Sequence, residues 1–283
     1  IVAAIDLDGA VLNGRANDEI WQAFSSCNTE VLNDATEVGT NGFQLTTETN
    51  NQFGRIWLGD SVDLSQPLRL DFRILLGDKD GSGADGIAFT MHRDSRGYDA
   101  RGRVGGNLGV GDANSSSGSE TKITPAVTIE FDTWRNSDGY DPTYDHTNLF
   151  FNGDVKTSAL YPGETSNLQT LLPTIEDGLT NSEHGDTLNV SIIVTQTGSD
   201  QYLELWVNES MRFDYTGDII NDIFGGESKV IAGFTSSTGG ANNNQAVFLQ
   251  PNFGEYDFSW VDDSNNPIGG NDPFLCDIGP GDY

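Results

Sequence analysis

The 283-residue sequence has few cationic side chains and almost no cysteine or histidine. It contains 14 Lys and Arg against 43 Asp and Glu, a formal net charge of -29, 2 cysteines and 3 histidines. The shortage of positive charge argues against nucleic acids and anionic membranes as partners, because both are polyanions. The acidic excess favours cations as partners instead.

Long apolar runs are also missing. No stretch approaches the roughly 18 apolar residues that a membrane-spanning helix needs, so we expect no membrane insertion. The chain begins at Ile1 without a signal-peptide pattern, which is typical of an excised domain or a mature fragment. Cys27 and Cys276 lie near opposite ends, and chain termini often lie close together in a compact domain. A disulfide between them, which would imply an oxidising extracellular setting, is therefore one hypothesis, and two free thiols are the alternative.

Amphipathic helical periodicity is absent, and alternation typical of strands takes its place. Leu68, Leu70 and Phe72 would face one side of a strand while Arg69 and Asp71 face the other. The 34 glycines exceed the average share of about 7% and suit many turns between short strands. The sequence therefore predicts an all-β fold, an antiparallel β-sandwich of the jelly-roll kind. The predicted strands are 42–46, 55–58, 68–76, 86–92, 126–132, 148–152, 188–196, 202–207, 230–236 and 246–257, with one helical turn within 218–224.

Residues 130–146 contain the densest set of potential metal ligands. Glu130 and Asp132 are two residues apart in a strand-like context, so both carboxylates should leave the same face of the sheet. Asn136, Asp141 and His146 follow on a segment that can fold back over that face. Excess oxygen ligands favour Ca²⁺, and one imidazole among carboxylates suits a second ion such as Mn²⁺. A solvated acidic loop is the alternative interpretation.

Three further segments, 83–89, 105–109 and 233–240, could surround a sugar together with this run. The carboxylate of Asp85 and the amide of Asn136 can pair with vicinal hydroxyls. The indole of Trp134 can pack against the apolar face of a pyranose. Glycines such as Gly106 let a ligand approach the backbone N–H groups.

His92 and His184, which have no partner in the sequence, are expected at the surface.

With these motifs, the sequence resembles the L-type, or legume-type, lectins and looks closest to bacterial members of that family. Asn136, Asp141 and His146 follow Asp132 by four, nine and fourteen residues, which is the family's spacing. The resemblance implies a concanavalin-like sandwich over residues 28–258. Residues 1–27 would form an N-terminal extension packed on or flanking the sandwich, and residues 259–283 a C-terminal tail or linker.

The resemblance also implies a two-ion site. Its ligands would be Glu130, Asp132, the carbonyl of Trp134, Asn136, Asp141 and His146. Asp132 and Asp141 would bridge both ions. Trp134 and Asn136 would complete the Ca²⁺ shell, and the remaining two residues would hold the second ion, Mn²⁺ or Ca²⁺.

The sugar site implied by the resemblance centres on Asp85, which would accept hydrogen bonds from two hydroxyls and follow a cis peptide bond. Gly106 would donate its backbone N–H, Asn136 would contact the sugar and Trp134 would stack on the ring. The loop formed by Gly239, Gly240 and Ala241 would set sugar preference. Metal removal should then abolish sugar binding.

Two other functions fit parts of the sequence. A laminarinase-like glycoside hydrolase needs Glu-X-Asp-X-X-Glu on one strand, but Arg135 occupies the third position here, so the second catalytic carboxylate is missing. A calcium-stiffened structural or adhesive domain needs the metals but not Asp85. We therefore predict a non-catalytic, calcium-dependent lectin module that binds a glycan or monosaccharide. It would belong to a larger secreted or cell-surface bacterial protein used for adhesion, and could form a homodimer.

Overall fold

The computed structural model describes residues 29–39, 41–59, 61–112, 121–136, 140–164 and 167–250. Within them are fourteen strands, two short α-helices and a 3-10 turn at Gly97–Asp99. The strands are β1 (Glu30–Asn33), β2 (Thr36–Glu37), β3 (Gly42–Thr46), β4 (Phe53–Trp57), β5 (Val62–Asp63), β6 (Leu68–Leu75), β7 (Gly86–His92), β8 (Ala126–Asp132), β9 (His146–Phe151), β10 (Leu188–Thr197), β11 (Asp200–Val207), β12 (Ser210–Gly217), β13 (Lys229–Ser237) and β14 (Gln245–Gln250). The helices are α1 (Leu168–Leu171) and α2 (Ile219–Asp222).

The strands form two antiparallel sheets. The front sheet has the order β1-β4-β13-β7-β8-β9, with β5 paired to β13, and the back sheet has the order β12-β11-β10-β6-β14-β3-β2. Strands distant in sequence are neighbours in both sheets, as in a jelly roll. The predicted antiparallel β-sandwich is therefore confirmed.

Apolar side chains from both sheets meet in one core. In β6 burial alternates residue by residue, so Leu68, Leu70 and Phe72 point inward. The ring of Phe72 lies 4.8 Å from that of Phe234 and 6.4 Å from that of Phe89, centroid to centroid. Since Phe234 and Phe89 belong to the front sheet, these rings join the two layers of the sandwich.

The front sheet is also covered on its outer face. A second apolar cluster there includes Trp57, Leu108, Val110 and Phe150, some of them supplied by the segment that follows β7. His92, at the end of β7, is fully buried beneath that segment, and its ring lies 4.5 Å from that of Trp57. The expected surface position of His92 is therefore wrong, because a long loop returns over the strand that carries it.

Most predicted strands lie within two residues of their observed bounds, and β3, β7 and β8 match residue for residue. The predicted helical turn is α2, whose N-cap Asp218 accepts a hydrogen bond from the Asn221 N–H. The strand β12 escaped prediction, because among its apolar residues only Phe213 is buried. Both predicted chain ends and the cysteines lie outside the described residues. Among the described residues, no helix has the length and apolar character to cross a membrane.

Candidate functional site

The candidate site is built on the hairpin formed by β8 and β9. Asp132 ends β8 and is the direct cross-strand partner of His146, which begins β9. On its other side, Asp132 pairs with Gly86 of β7. Opposed residues in an antiparallel pair bring their side chains within contact distance. The register of the front sheet therefore fixes the carboxylate beside the imidazole.

Four potential ligands converge at this end of the hairpin. Asp132, Asp141 and His146 each offer one ligand atom, and these atoms all lie within 4.8 Å of one another. The carboxylate of Glu130 is 3.7 Å from the Nε2 atom of His146. All four residues are buried, with at most 9% exposure. Such a group of carboxylates and one imidazole is a donor set for divalent cations.

The loop between β8 and β9 wraps its backbone around the carboxylates. The N–H of Trp134 donates to Oδ1 of Asp132, and the N–H of Asn136 donates to Oδ2 of Asp141, each at 2.7 Å. Trp134 and Asn136 are themselves half-buried, so part of each side chain reaches solvent. The loop thus presents the indole of Trp134 and the amide of Asn136 at the surface, while its backbone orients the acids below.

The electrostatics of the group favour a bound cation. Burial raises the pKa of Asp132 well above its usual range, and the charges of Asp141 and Glu130 raise it further. Burial also raises the pKa of Asp141, although His146 opposes that shift. Among the described residues, the buried Nε2 atom of His146 has no hydrogen-bond partner. A divalent ion would neutralise the crowded carboxylates and engage this nitrogen.

Asp85 lies beside the hairpin and is joined to its loop. The Ala84–Asp85 peptide bond is cis, as the resemblance implies. The carbonyl of Asp85 accepts a hydrogen bond from the Thr133 N–H at 3.0 Å. Its side chain is buried, and burial raises its pKa to about 7, with the backbone of Gly239 partly opposing the shift. Oδ2 has no hydrogen-bond partner among the described residues, so an acceptor is available to a ligand.

Glycines leave room around these side chains. A Cβ on Gly106 would lie 2.2 Å from Nδ2 of Asn136, so only glycine permits this approach without displacement. A Cβ on Gly239 would lie 3.4 Å from Oδ2 of Asp85. Gly240 is exposed with open space around it, and the carbonyl of Ala241 accepts a hydrogen bond from Gly239. The loop Gly239–Ala241, the second glycine loop, therefore forms the rim beside Asp85.

The structure also reveals supporting residues that sequence reasoning missed. The hydroxyl of Ser237 donates to the Gly105 carbonyl at 2.9 Å, and that of Thr235 donates to the Leu108 carbonyl at 2.7 Å. These residues are two apart on β13, so both project from its outer face to hold the loop 105–109, which we call the first glycine loop. The run of three consecutive hydroxyl residues that ends β13, Thr235 to Ser237, could have indicated them.

Two further acids lie near the site. Burial raises the pKa of Glu183 to about 8 and that of Asp145 to about 6. Oε1 of Glu183 accepts a hydrogen bond from Asn243 at 2.6 Å. Asp145 directly precedes His146, a signal that the sequence offered, whereas nothing local to Glu183 indicates its position.

Comparison with known proteins gives a consistent family and fold. A family model described as the legume lectin β-barrel domain matches residues 17–251. The Bauhinia forficata lectin in complex with GalNAc is 17% identical, with 82% of this chain and 96% of that chain covered and a TM-score of 0.57. The winged bean acidic lectin complexed with methyl-α-D-galactose is 19% identical, with coverages of 81% and 92% and a TM-score of 0.54. Lectin I-B4 from Griffonia simplicifolia, in its metal-free form, is 21% identical, with coverages of 78% and 89% and a TM-score of 0.52. At these identities the structures show a shared fold.

Proposed function

Because the chain belongs to the family of legume lectin β-barrel domains, we propose that it is a calcium-dependent module that binds a glycan. The family and its structural neighbours are carbohydrate-binding proteins without catalytic activity, and the chain is accordingly no enzyme. Arg135 agrees with this conclusion, because it stands where a laminarinase-like hydrolase would need its second carboxylate.

One observation carries the proposal: a buried acceptor without a partner lies beside a cluster of cation ligands. Oδ2 of Asp85 has no hydrogen-bond partner among the described residues, and the Asp85 backbone is bonded to Thr133, next to Asp132. A buried carboxylate left unpaired is costly, so a site that retains one is suited to a hydrogen-bonding ligand. Sugar hydroxyls supply such donors.

The residues present also fit the metal that this function requires. Asp132 and Asp141, with the carbonyl of Trp134 and the side chain of Asn136, would hold Ca²⁺. Glu130 and His146, with the two shared aspartates, would hold a second ion, Mn²⁺ or Ca²⁺. Calcium, when bound, supplies positive charge that keeps these carboxylates ionised and the loop ordered.

On the sugar side, each predicted contact has a distinct role. Asp85 would accept hydrogen bonds from two hydroxyls, and Gly106 would donate its N–H beside the Asn136 amide. Trp134 would pack against the apolar face of the ring. The rim Gly239–Ala241 would select among sugars. Neighbours solved with GalNAc and methyl-α-D-galactose make galactose-type sugars the first ligands to test.

A glycan array run with calcium and repeated with a chelator tests the proposal. We expect binding with calcium and its loss with the chelator. In calcium, Asp85→Asn should weaken the leading glycan by at least about tenfold, because one charged acceptor is removed. Asp200→Asn, the same charge change on the back sheet, serves as the matched control. If Asp85→Asn binds calcium and glycan as before, Asp85 is not a sugar contact. If the wild-type protein binds calcium but no glycan on the array, the structural or adhesive function is the better account.

The setting of the module is a further part of the proposal. The net charge of -29 and the family resemblance support a secreted or cell-surface bacterial protein that adheres to glycans, and a Cys27–Cys276 disulfide would add to that support. Mass spectrometry of a non-reduced digest should find the linked peptide. Two unlinked cysteine peptides would remove this support for an oxidising location.

A further inference from the structure

The densest group of cationic residues in this acidic sequence directly precedes the loop 105–109, which borders the candidate sugar site. Four of its 14 Lys and Arg fall within residues 93–103. Arg96, Arg101 and Arg103 line a cavity of about 740 Å³, together with Asn107 and Phe53 among others. That volume lies within the range of small-ligand sites, roughly 300–1,000 Å³. We refer to it as the arginine cavity.

Like charges crowd at this cavity. The pKa of Arg55 is lowered, first by burial and further by the charges of Arg101 and Arg96, while Asp99 opposes the shift. These guanidinium groups therefore lie within electrostatic reach of one another. Arg55 itself forms an ion pair with Asp99 at 3.8 Å, so its charge is compensated, and the arginines that line the cavity remain to be considered one by one.

Three carboxylates face the cavity, as many as the arginines that line it, but they do not engage the three arginines evenly. Asp94 pairs with Arg96 at 2.6 Å, and Asp112 pairs with Arg103 at 2.5 Å. The carboxylate of Asp34 accepts the Phe53 N–H at 2.8 Å. Arg101 is exposed, and no carboxylate within the described ranges forms an ion pair with it. Its guanidinium can therefore bind an incoming anion.

The first glycine loop connects this cavity to the sugar site. Val104, which is 40% exposed, lines the cavity, while Gly106 two residues later abuts Asn136. Gly105, between them, packs against Gly239 beside Asp85. Adjacent Cα atoms are about 3.8 Å apart, so the loop positions facing the two sites are separated by less than about 8 Å. The two sites therefore flank one short segment of the same loop.

We propose that the arginine cavity binds the acidic group of a glycan, a carboxylate or a sulfate ester, while a neighbouring sugar occupies the Asp85 site. This inference rests on the proposed lectin function. Guanidinium groups suit the shared chemistry, because their planar N–H donors match the paired oxygens of both anions. The module then selects acidic glycans in spite of its own net charge of -29.

The test compares matched neutral, uronate and sulfated forms of the same oligosaccharides on an array with calcium, followed by calorimetry of the leading set. We expect an acidic form to bind about tenfold more tightly than its neutral counterpart. Arg101→Gln should remove that preference and leave neutral binding unchanged. Arg69→Gln, the same charge change on the back sheet, is the matched control and should retain the preference. A preference for uronate or for sulfate identifies the anion, and either supports the proposal.

Three results would overturn the inference: equal affinity for acidic and neutral forms, an equal loss of both forms in Arg101→Gln, or the same loss of preference in Arg69→Gln. Calcium-dependent binding of neutral glycans without an acidic preference would overturn this inference alone. Absence of binding to every glycan, in a protein that still binds calcium, would overturn the lectin function as well.

Discussion

The two sheets of the sandwich share a core but differ in what covers their outer faces. In the back sheet, β6 and β11 alternate between buried and half-buried residues. In the front sheet, every residue of β7 and β8 is buried. Loops over the front sheet form the difference. The strands β8 and β9 carry Glu130, Asp132 and His146, and the loops add Asp141, Asp85 and the glycines. The candidate site thus lies where loops cover polar side chains on the outer face of the front sheet.

The largest expected effect concerns the hydrophobic core that the two sheets share. Phe234→Ala in the front sheet and Phe72→Ala in the back sheet each remove a fully buried ring. We expect each to lower the free energy of unfolding by about 3–5 kcal/mol. Met211→Ala, at a 43% exposed position of the back sheet, should cost less than about 0.5 kcal/mol. Urea unfolding measures all three, and a small loss in only one phenylalanine variant would show that the core is not shared equally.

The second test asks how completely a loop buries His92 on the outer face of the front sheet. Burial lowers the pKa of His92 to about 4, with Arg96 and Arg55 adding to the shift and Asp94 opposing it. An unfolded histidine titrates near 6.5, so between about pH 4 and 6.5 the unfolded state binds more protons. Stability from this residue is therefore present above pH 6.5 and is lost as the pH falls to about 4, by about 3 kcal/mol in total.

The measurement is the difference in unfolding free energy between the wild-type protein and His92→Gln across this pH range, with calcium saturating. Carboxylates titrate in the same range but contribute equally to both proteins, so they cancel in the difference. The wild-type protein should lose stability faster on acidification. Parallel curves would mean that His92 is hydrated and that the loop does not seal the front sheet.

The sequence predicted the back sheet and the ligand run for different reasons. Alternation along β6 reflects one buried face, so Leu68 to Leu75 could be read directly. The candidate metal site could be predicted from the spacing of its residues, because they lie within a single hairpin. Neither signal covers what long loops bring together. His92 was misplaced at the surface, and Glu183 and the arginine cavity were missed, because their surroundings come from segments distant in sequence.

The smallest effect tests whether the loops over the front sheet are as closely fitted as the core. Gly106→Ala places a Cβ 2.2 Å from Nδ2 of Asn136, the free end of a side chain that can turn away at little cost in stability. Turning away would withdraw Asn136 from the Ca²⁺ shell, so calcium affinity should fall by about tenfold. A Cβ on Gly240 meets open space, so Gly240→Ala should leave the calcium affinity unchanged. Calcium calorimetry on both variants separates the two glycines. Unchanged affinity in Gly106→Ala would place Asn136 outside the shell, and the sugar site would then depend on calcium only through Asp132, Asp141 and the carbonyl of Trp134.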